Sequence, residues 1–430
     1  SSFETTEVIE YKLTGADRYC PDCNTKYKVV TKETVKRLKF IPARFEVMEE
    51  VTFVYSCPKC GAMKRPEKTP SLLKGSVATP SLVAGIMNAK YVNGMPLARQ
   101  EREFARYDLN LSTKTMANWI IQCAGRYLQP LYDLMKEELL RSKYLHGDET
   151  RIQVLDEPDQ KGSTQNWMWV YLTDEYSGSP RMVLFQYERT RAGYHPAEFL
   201  GGQFKGYFTC DGYQAYHSLP GMITVTGCMA HARRRFDEAL TALKKDFTKE
   251  QLKETTAYQA MERIGMLYKI EEMIRGKSPE ERYEERQKQA KPLLEAFFEW
   301  LHTLEDSVDR SSLIGEAVLY TLNQEIYLKR YLEDGHLSID NLAAERSLKN
   351  FATGRRNWLF AKSIRGAQAS ATVYSMTETA MLNGLKPYNY LTYVMEKMKD
   401  FGPFPEKEAM LELLPWSASL PADCHSKLKK

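Results

Sequence analysis

Three acids stand where the surrounding pattern could bring them to one point. Asp148 lies in the stretch Tyr144–Leu155, which reads as a strand. Asp211 closes a second strand-like run, Tyr207-Phe208-Thr209-Cys210-Asp211, and Glu345 sits on the helical segment Ile339–Leu348. Carboxylates gathered at one spot repel one another unless cations neutralise them. Mg²⁺ (or Mn²⁺) accepts carboxylate and water oxygens and leaves room for phosphate. Two such ions roughly 3.5–4 Å apart can activate an attacking hydroxyl and stabilise a leaving oxygen, which is phosphodiester chemistry. With 56 acidic residues in the chain, each of the three is also readable as an ordinary cap or surface charge.

A second chemistry is written in sulfur. Of eight cysteines, four form two C-x2-C pairs, Cys20/Cys23 and Cys57/Cys60. Two such turns complete a tetrahedral site of four thiolates, a closed and therefore structural Zn²⁺ site; the alternative is four unrelated thiols. Cys228-Met229-Ala230-His231 is a C-x2-H element that could be half a zinc site, although no second pair lies nearby; a buried core histidine is the other reading. A large chain with no visible signal peptide reads as cytoplasmic, with reduced thiols. No run of 18 apolar residues suggests a membrane span. The first residue is not Met, which suggests a piece whose N-terminus was removed.

The elements around these residues fall into blocks. Residues 1–65 read as a zinc ribbon with strands at Phe45–Val47 and Val51–Tyr55, followed by a polar linker at 63–70. Residues 66–142 read as helical, with one helix opening at Pro96 and another capped by Ser112. That pair has the look of a helix-turn-helix, which would aim Lys114 and Asn118 at base edges; a plain helical hairpin fits as well. From residue 144 three strands follow at hairpin spacing (144–155, 166–172, 181–187), then a helix near 196–200 and strands at 207–211 and 222–226. This order predicts an α/β fold with a mixed sheet core, residues 143–228 and 336–385, covered on both faces. Residues 229–335 form a helical insertion with solvated charged faces, and 386–430 a C-terminal tail.

Net charge is only +4, too little to identify a partner. Its distribution says more. Residues 346–365 carry Arg346, Lys349, Arg355, Arg356, Lys362 and Arg365 and no acid. Arg side chains pair with phosphate, and an aromatic such as Trp358 can stack on a displaced base. Gly354–Trp358 is expected to be a loop. Arg233 and Arg234 add a second basic run, although such runs are usually solvated faces.

Several ordered motifs resemble one family. His146-Gly147-Asp148-Glu149-Thr150 and Trp167-Met168-Trp169-Val170-Tyr171 are similar to the opening of bacterial transposases of the insertion-sequence-66 family. So are Asp211-Gly212-Tyr213-Gln214-Ala215-Tyr216, Gly227–Phe236, Ile339–Arg346, Gly354–Phe360 and the closing Leu413-Leu414-Pro415-Trp416. The resemblance implies a ribonuclease-H-like core of the DDE type with Asp148, Asp211 and Glu345 as the triad binding two Mg²⁺. It implies a zinc-binding domain over residues 20–60, and DNA (element ends and target) as partner. Small accessory transposition proteins, a homo-oligomer on DNA and a place at the bacterial nucleoid follow from it. Cys228-Met229-Ala230-His231 resembles the element after the second Asp of several DDE transposases, which implies His231 close to the acids or to DNA. A nuclease without strand transfer and a non-catalytic DNA-binding descendant are the rival readings.

Overall fold

The computed structural model describes residues 6, 8–35, 37, 45–158 and 165–428. They form two compact bodies. One runs to Pro66 and takes in the last residues from Lys427; the other is Glu67–Ser426.

In the first body, each cysteine pair folds into a tight knuckle. Cys20 N donates to Thr25 O and Asn24 N to Cys20 O, both 2.9 Å; Cys57 N donates to Ala62 O and Gly61 N to Cys57 O, both 2.8 Å. The residue four beyond each leading cysteine has positive φ, Asn24 at 52° and Gly61 at 73°. Those are the two residue types that enter the left-handed region most cheaply. Strands β1 (Tyr55–Ser56) and β2 (Met63–Lys64) pair antiparallel across the second knuckle. The strands expected at Phe45–Val47 and Val51–Tyr55 do not form, Tyr55 excepted, and β2 falls in the supposed linker. Val47, Val51 and Phe53 are exposed, so their alternation has no apolar face to pack against.

The second body opens with α1 (Pro80–Met87), α2 (Leu97–Ala105), α3 (Thr113–Cys123) and α4 (Gln129–Leu139). Ser112 caps α3 by accepting from Thr115 N, as its residue type suggests. Glu101 on α2 accepts from Thr113 N at 2.9 Å and ties the two helices together. Lys114 and Asn118 are exposed, while Met116, Trp119 and Ile120 are buried.

The sheet is built from β3 (Tyr144–Asp156), β4 (Gln165–Thr173) and β5 (Val183–Glu188), all antiparallel neighbours. After α5 (Tyr194–Leu200) comes β6 (Gly206–Thr209), then α6 (Gln214–His217) and β7 (Ile223–Thr226). β6 runs parallel to β3, and β7 parallel to β6, giving the order β5-β4-β3-β6-β7. Asp148, Val170 and Phe185 are in register across three strands and share one face.

The insertion contains α7 (Met229–Leu243), α8 (Lys249–Lys253), α9 (Thr256–Met273), α10 (Pro279–Glu285), α11 (Lys291–Leu304), α12 (Leu313–Asn323) and α13 (Glu325–Lys329). It has an apolar core of its own around Phe236, Ile264, Leu294 and Phe297. Not all of its charge is solvated. Arg286 is fully buried; it pairs with Glu271 and donates to the carbonyls of Tyr331, Asp334 and Leu337. With its donors satisfied, this guanidinium clamps the chain where it leaves the insertion for the next helix.

That helix is α14 (Leu342–Trp358), followed by β8 (Ala361–Ser363), α15 (Ile364–Leu382), α16 (Pro387–Phe401) and α17 (Lys407–Leu411). α14 continues through Gly354–Trp358, where a loop was expected. A side chain at Gly354 would stand 2.5 Å from the Tyr374 hydroxyl, so this glycine serves close helix packing and not a turn. α15 lies along the edge strand β5. Ser375 accepts from Phe185 N at 2.8 Å, and Thr379 both accepts from Val183 N and donates to Val183 O at 3.0 Å. Hydroxyls thus replace the missing strand neighbour, and small side chains let the helix come close enough. The stretch after residue 386 is packed structure: Tyr390, Leu391, Val394, Leu413 and Leu414 are buried in the same core as α1 and α3.

Candidate active site

The site forms where β3 lacks a strand neighbour. On one side β3 pairs with β6 only through His146 and with β8 only from Val154. Helix α14 crosses the gap between them. Asn341, just before α14, donates from Nδ2 to Gly147 O at 2.8 Å, and Arg355 donates to Arg151 O. Two carbonyls of the open edge are thereby satisfied by side chains of one segment. Glu345, on the first turn of that helix, is carried to the edge beside Asp148.

Asp211 lies just past the end of β6. His146 pairs with Thr209, the last pair of that ladder, and Asp211 follows two residues later, near enough for its charge to act on Asp148. The charges feel one another. Burial above all, then Glu149, Asp211 and Glu345, push the Asp148 carboxyl well above the ordinary aspartate value, against the pull of the Glu149 N–H. Asp148, His231, Arg234, Glu345, Arg346 and Lys349 line one cleft of about 660 Å³.

In this structure arginines hold two of the three acids. Arg234 Nη2 lies 3.1 and 2.9 Å from the two oxygens of Glu345, and His231 Nε2 is 3.7 Å from the same carboxylate. Arg191 lies 4.0 Å from Asp211 and is bound more tightly to Glu149, with Nε at 2.6 Å from Oε1. The carboxylate trio does not close to within 4.8 Å. Among the described residues, the set with one ligand atom each inside that distance is Cys228, His231 and Glu345. The Cys228 sulfur accepts from Asn341 N at 3.1 Å, and burial pushes its thiol up to about 12. The acids are the donor type a divalent cation takes, and the two arginines neutralise part of their charge here.

Other expected residues are placed less simply. Arg355 is half-buried and spends a donor on Arg151 O, so it is not standing free for phosphate; Arg356 is exposed. Trp358 turns into the core, edge-on to Phe351 at 5.7 Å, and the side chains presented beyond it are Leu359 and Phe360, 64% and 42% exposed. Arg233 is exposed on α7.

In the cysteine body, the N–H groups of Asp22 and Cys23 draw the Cys20 thiol down to about 7, and those of Cys60 and Lys59 lower Cys57. Both knuckles thus favour thiolate, the form zinc takes. The four sulfurs do not come together within 4.8 Å as a set.

Sequence reasoning passed over the residues behind the acids. Glu149, beside Asp148, reaches into a buried cluster with Arg191 and Tyr216 while also lining the cleft. Its lone signal was adjacency to Asp148. His146, Asp174 and Asn341 are buried polar residues whose partners lie far along the chain, and no local spacing points to them.

A mixed sheet with acids lining a cleft at its open edge is an arrangement that can take a divalent cation. Comparisons with known proteins go further. The description "Transposase IS66 family" matches residues 75–369. The zinc-finger binding domain of transposase IS66 matches residues 17–61. The chain is 31% identical over 412 residues to the uncharacterized protein y4hP of Sinorhizobium fredii, covering 92% of this chain and 73% of that one. It is 30% identical over 397 residues to the uncharacterized protein y4jD of the same organism, covering 89% and 75%. The chain belongs to the IS66 family of transposases. Membership implies DNA as partner and a zinc finger at the N-terminal end. No helix of the described residues is long and apolar enough to cross a membrane.

Proposed function

We propose that this chain cuts and joins phosphodiester bonds at the ends of a mobile element, using Asp148, Asp211 and Glu345 on a ribonuclease-H-like sheet. One observation supports the reading: Asp148 and Glu345 line one cleft, and Asp211 follows the strand that pairs with β3. The strand order, three antiparallel strands and then two parallel ones, supports the fold assignment. Two divalent cations, Mg²⁺ or Mn²⁺, held by the three acids would supply an activated water or 3′-hydroxyl and neutralise the leaving oxygen.

The chain's own part is positioning and charge. Arg234 and Arg191, which balance Glu345 and Glu149 here, turn to phosphate oxygens when DNA enters. Arg346 and Lys349 line the cleft and grip the backbone of the cut strand. Arg356 and Arg233 extend that contact. Lys114 and Asn118, exposed on one side of α3, read bases of the element end. The cysteine body holds one structural Zn²⁺ through Cys20, Cys23, Cys57 and Cys60. The working form is a homo-oligomer on DNA at the nucleoid, aided by small accessory proteins.

A single-turnover assay with Mg²⁺, an oligonucleotide bearing the element's terminal repeat and a target duplex tests the reading. Cleavage followed by joined product is expected. Cleavage without joining would make the chain a nuclease, and binding alone a non-catalytic descendant.

A further inference from the structure

Behind the acids lies a buried polar group that the chemistry above does not use. Asn341 has no exposed surface and joins three elements. Its N–H donates to Cys228 Sγ at 3.1 Å, at the start of α7. Its Nδ2 donates to Gly147 O at 2.8 Å, on β3, and its Oδ1 faces His146 Nδ1 at 2.9 Å. Asn is among the best residues for capping a helix, yet this one makes no cap bond; Asp340 takes Leu342 N instead, at 3.1 Å. The side chain has been diverted from its own helix to the sheet.

The donor assignments follow from the partners. Gly147 O can only accept, so the amide nitrogen of Asn341 must face it, and Oδ1 must accept from His146. Nδ1 of His146 is therefore an N–H. The other ring nitrogen lies 2.6 Å from Asp174 Oδ2, an oxygen that also accepts from Ser338 Oγ at 2.7 Å. His146 and Asp174 are both buried, 1% and 2% exposed, so this hydrogen-bonded pair is shut off from solvent.

We infer that Asn341, braced by this buried His146–Asp174 pair, is the positioning residue that sets the separation of Asp148 and Glu345. Gly147, whose carbonyl it holds, is bonded directly to Asp148. At the other end, Glu345 N donates to Asn341 O at 3.3 Å. Asn341 thus links the two acids, its side chain reaching Asp148 through Gly147 and its own carbonyl accepting directly from the Glu345 N–H. Gly147 admits no adjustment: a side chain there would stand 2.1 Å from the Phe208 ring. The inference rests on the proposed role of the acids and deepens it.

The test uses the full chain. In Asn341→Ala, Mn²⁺ affinity measured by electron paramagnetic resonance without DNA should fall about tenfold, the lower end of what loss of an outer-shell partner costs. End-oligonucleotide affinity should stay within about twofold. The single-turnover cleavage rate at saturating Mg²⁺ should drop about 100-fold, as for a misplacement of about 1 Å. A merely structural role would reduce the reacting fraction and leave the rate and the Mn²⁺ affinity of the folded molecules unchanged. Should Asn341→Ala not fold, Asn341→Asp decides, because it keeps the acceptor for His146 and sets an oxygen, in place of the donor, against Gly147 O; the same two losses are expected. Parental Mn²⁺ affinity and rate in the folded variant, with both abolished in Asp148→Asn, would overturn the inference alone. Retention of both in Asp148→Asn would overturn the reading of the acids themselves.

Discussion

Around the cysteine pairs the chain hides little apolar surface: Tyr11, Val30 and Val47 are 92%, 95% and 94% exposed. Around Asp148 the reverse holds. Met168, Trp169, Val170 and Tyr171 on the neighbouring strand are fully buried. The two regions gather ligands by opposite means. Each knuckle is made by a few consecutive residues and a left-handed turn, and little apolar surface joins the two. The acids come from distant parts of the chain and are carried by elements packed on a large apolar core. On the proposed reading a metal is part of the fold in the first region and a guest in the second.

The sharpest break between them should come at the acids. Asp148→Asn, Asp211→Asn and Glu345→Gln should each lower cleavage and strand transfer more than about 100-fold, beyond the cost of losing an outer-shell partner, with the circular dichroism spectrum unchanged. Full activity in any one would remove that residue from the site. Chelating zinc should do the opposite: hydrogen exchange in residues 18–62 should rise to the unprotected limit, while β3–β5 and α15 keep their protection.

A smaller effect separates guest from fold by pH. Asp148 holds its proton more tightly in the folded chain than in the unfolded one, so folding takes up a proton. Stability from this group is complete below the ordinary aspartate value and is lost as pH rises through the raised one. Metal-free Asp148→Asn should therefore melt roughly 2 °C higher than the parent at neutral pH and show a flatter pH dependence. A lower midpoint at neutral pH would mean that the carboxylate is not strained by its neighbours.

Glu149→Gln tests the opposite face of the same strand. Asp148 and Glu149 point to different sides, but Glu149 holds Arg191, which also reaches Asp211. Activity should fall roughly tenfold, well short of Asp148→Asn, because positioning rather than ligation is lost. Equal losses at the two positions would show that the faces are not functionally distinct.

The gentlest probe is the salt dependence of binding. Neutralising Arg346 and Lys349 together should lower the slope of log affinity against log salt by about 2, whereas Arg355→Gln should mainly destabilise α14 against β3. An unchanged slope in the double variant would place DNA elsewhere. Changing Lys114 or Asn118 should alter preference among end sequences and leave that slope nearly intact.

Much of this could be read in one dimension. The knuckles, the strands of the sheet and the helices of the insertion are local patterns: C-x2-C turns, apolar alternation, caps such as Ser112. The elements that carry the three acids are such patterns too. Gly354 misled, since a glycine beside two arginines resembles a turn, and only Tyr374 packed against it shows why the helix continues. Trp358 reads equally well as a base-stacking or a core aromatic, since burial is set by what lies above a residue.

What the residues could not state alone is which distant groups complete one another. Asp211 is carried toward Asp148 by the pairing of β6 with β3, and Glu345 reaches the same cleft because α14 crosses the edge of β3 that, among the described residues, no strand covers between His146 and Val154. His146, Asp174 and Asn341 carry no spacing signal at all, because hydrogen bonding across 28 and 195 residues is decided by packing. Local conformation follows from short-range sterics and propensity, which a sequence displays. Convergence depends on how a buried core closes, and that is a property of the folded chain.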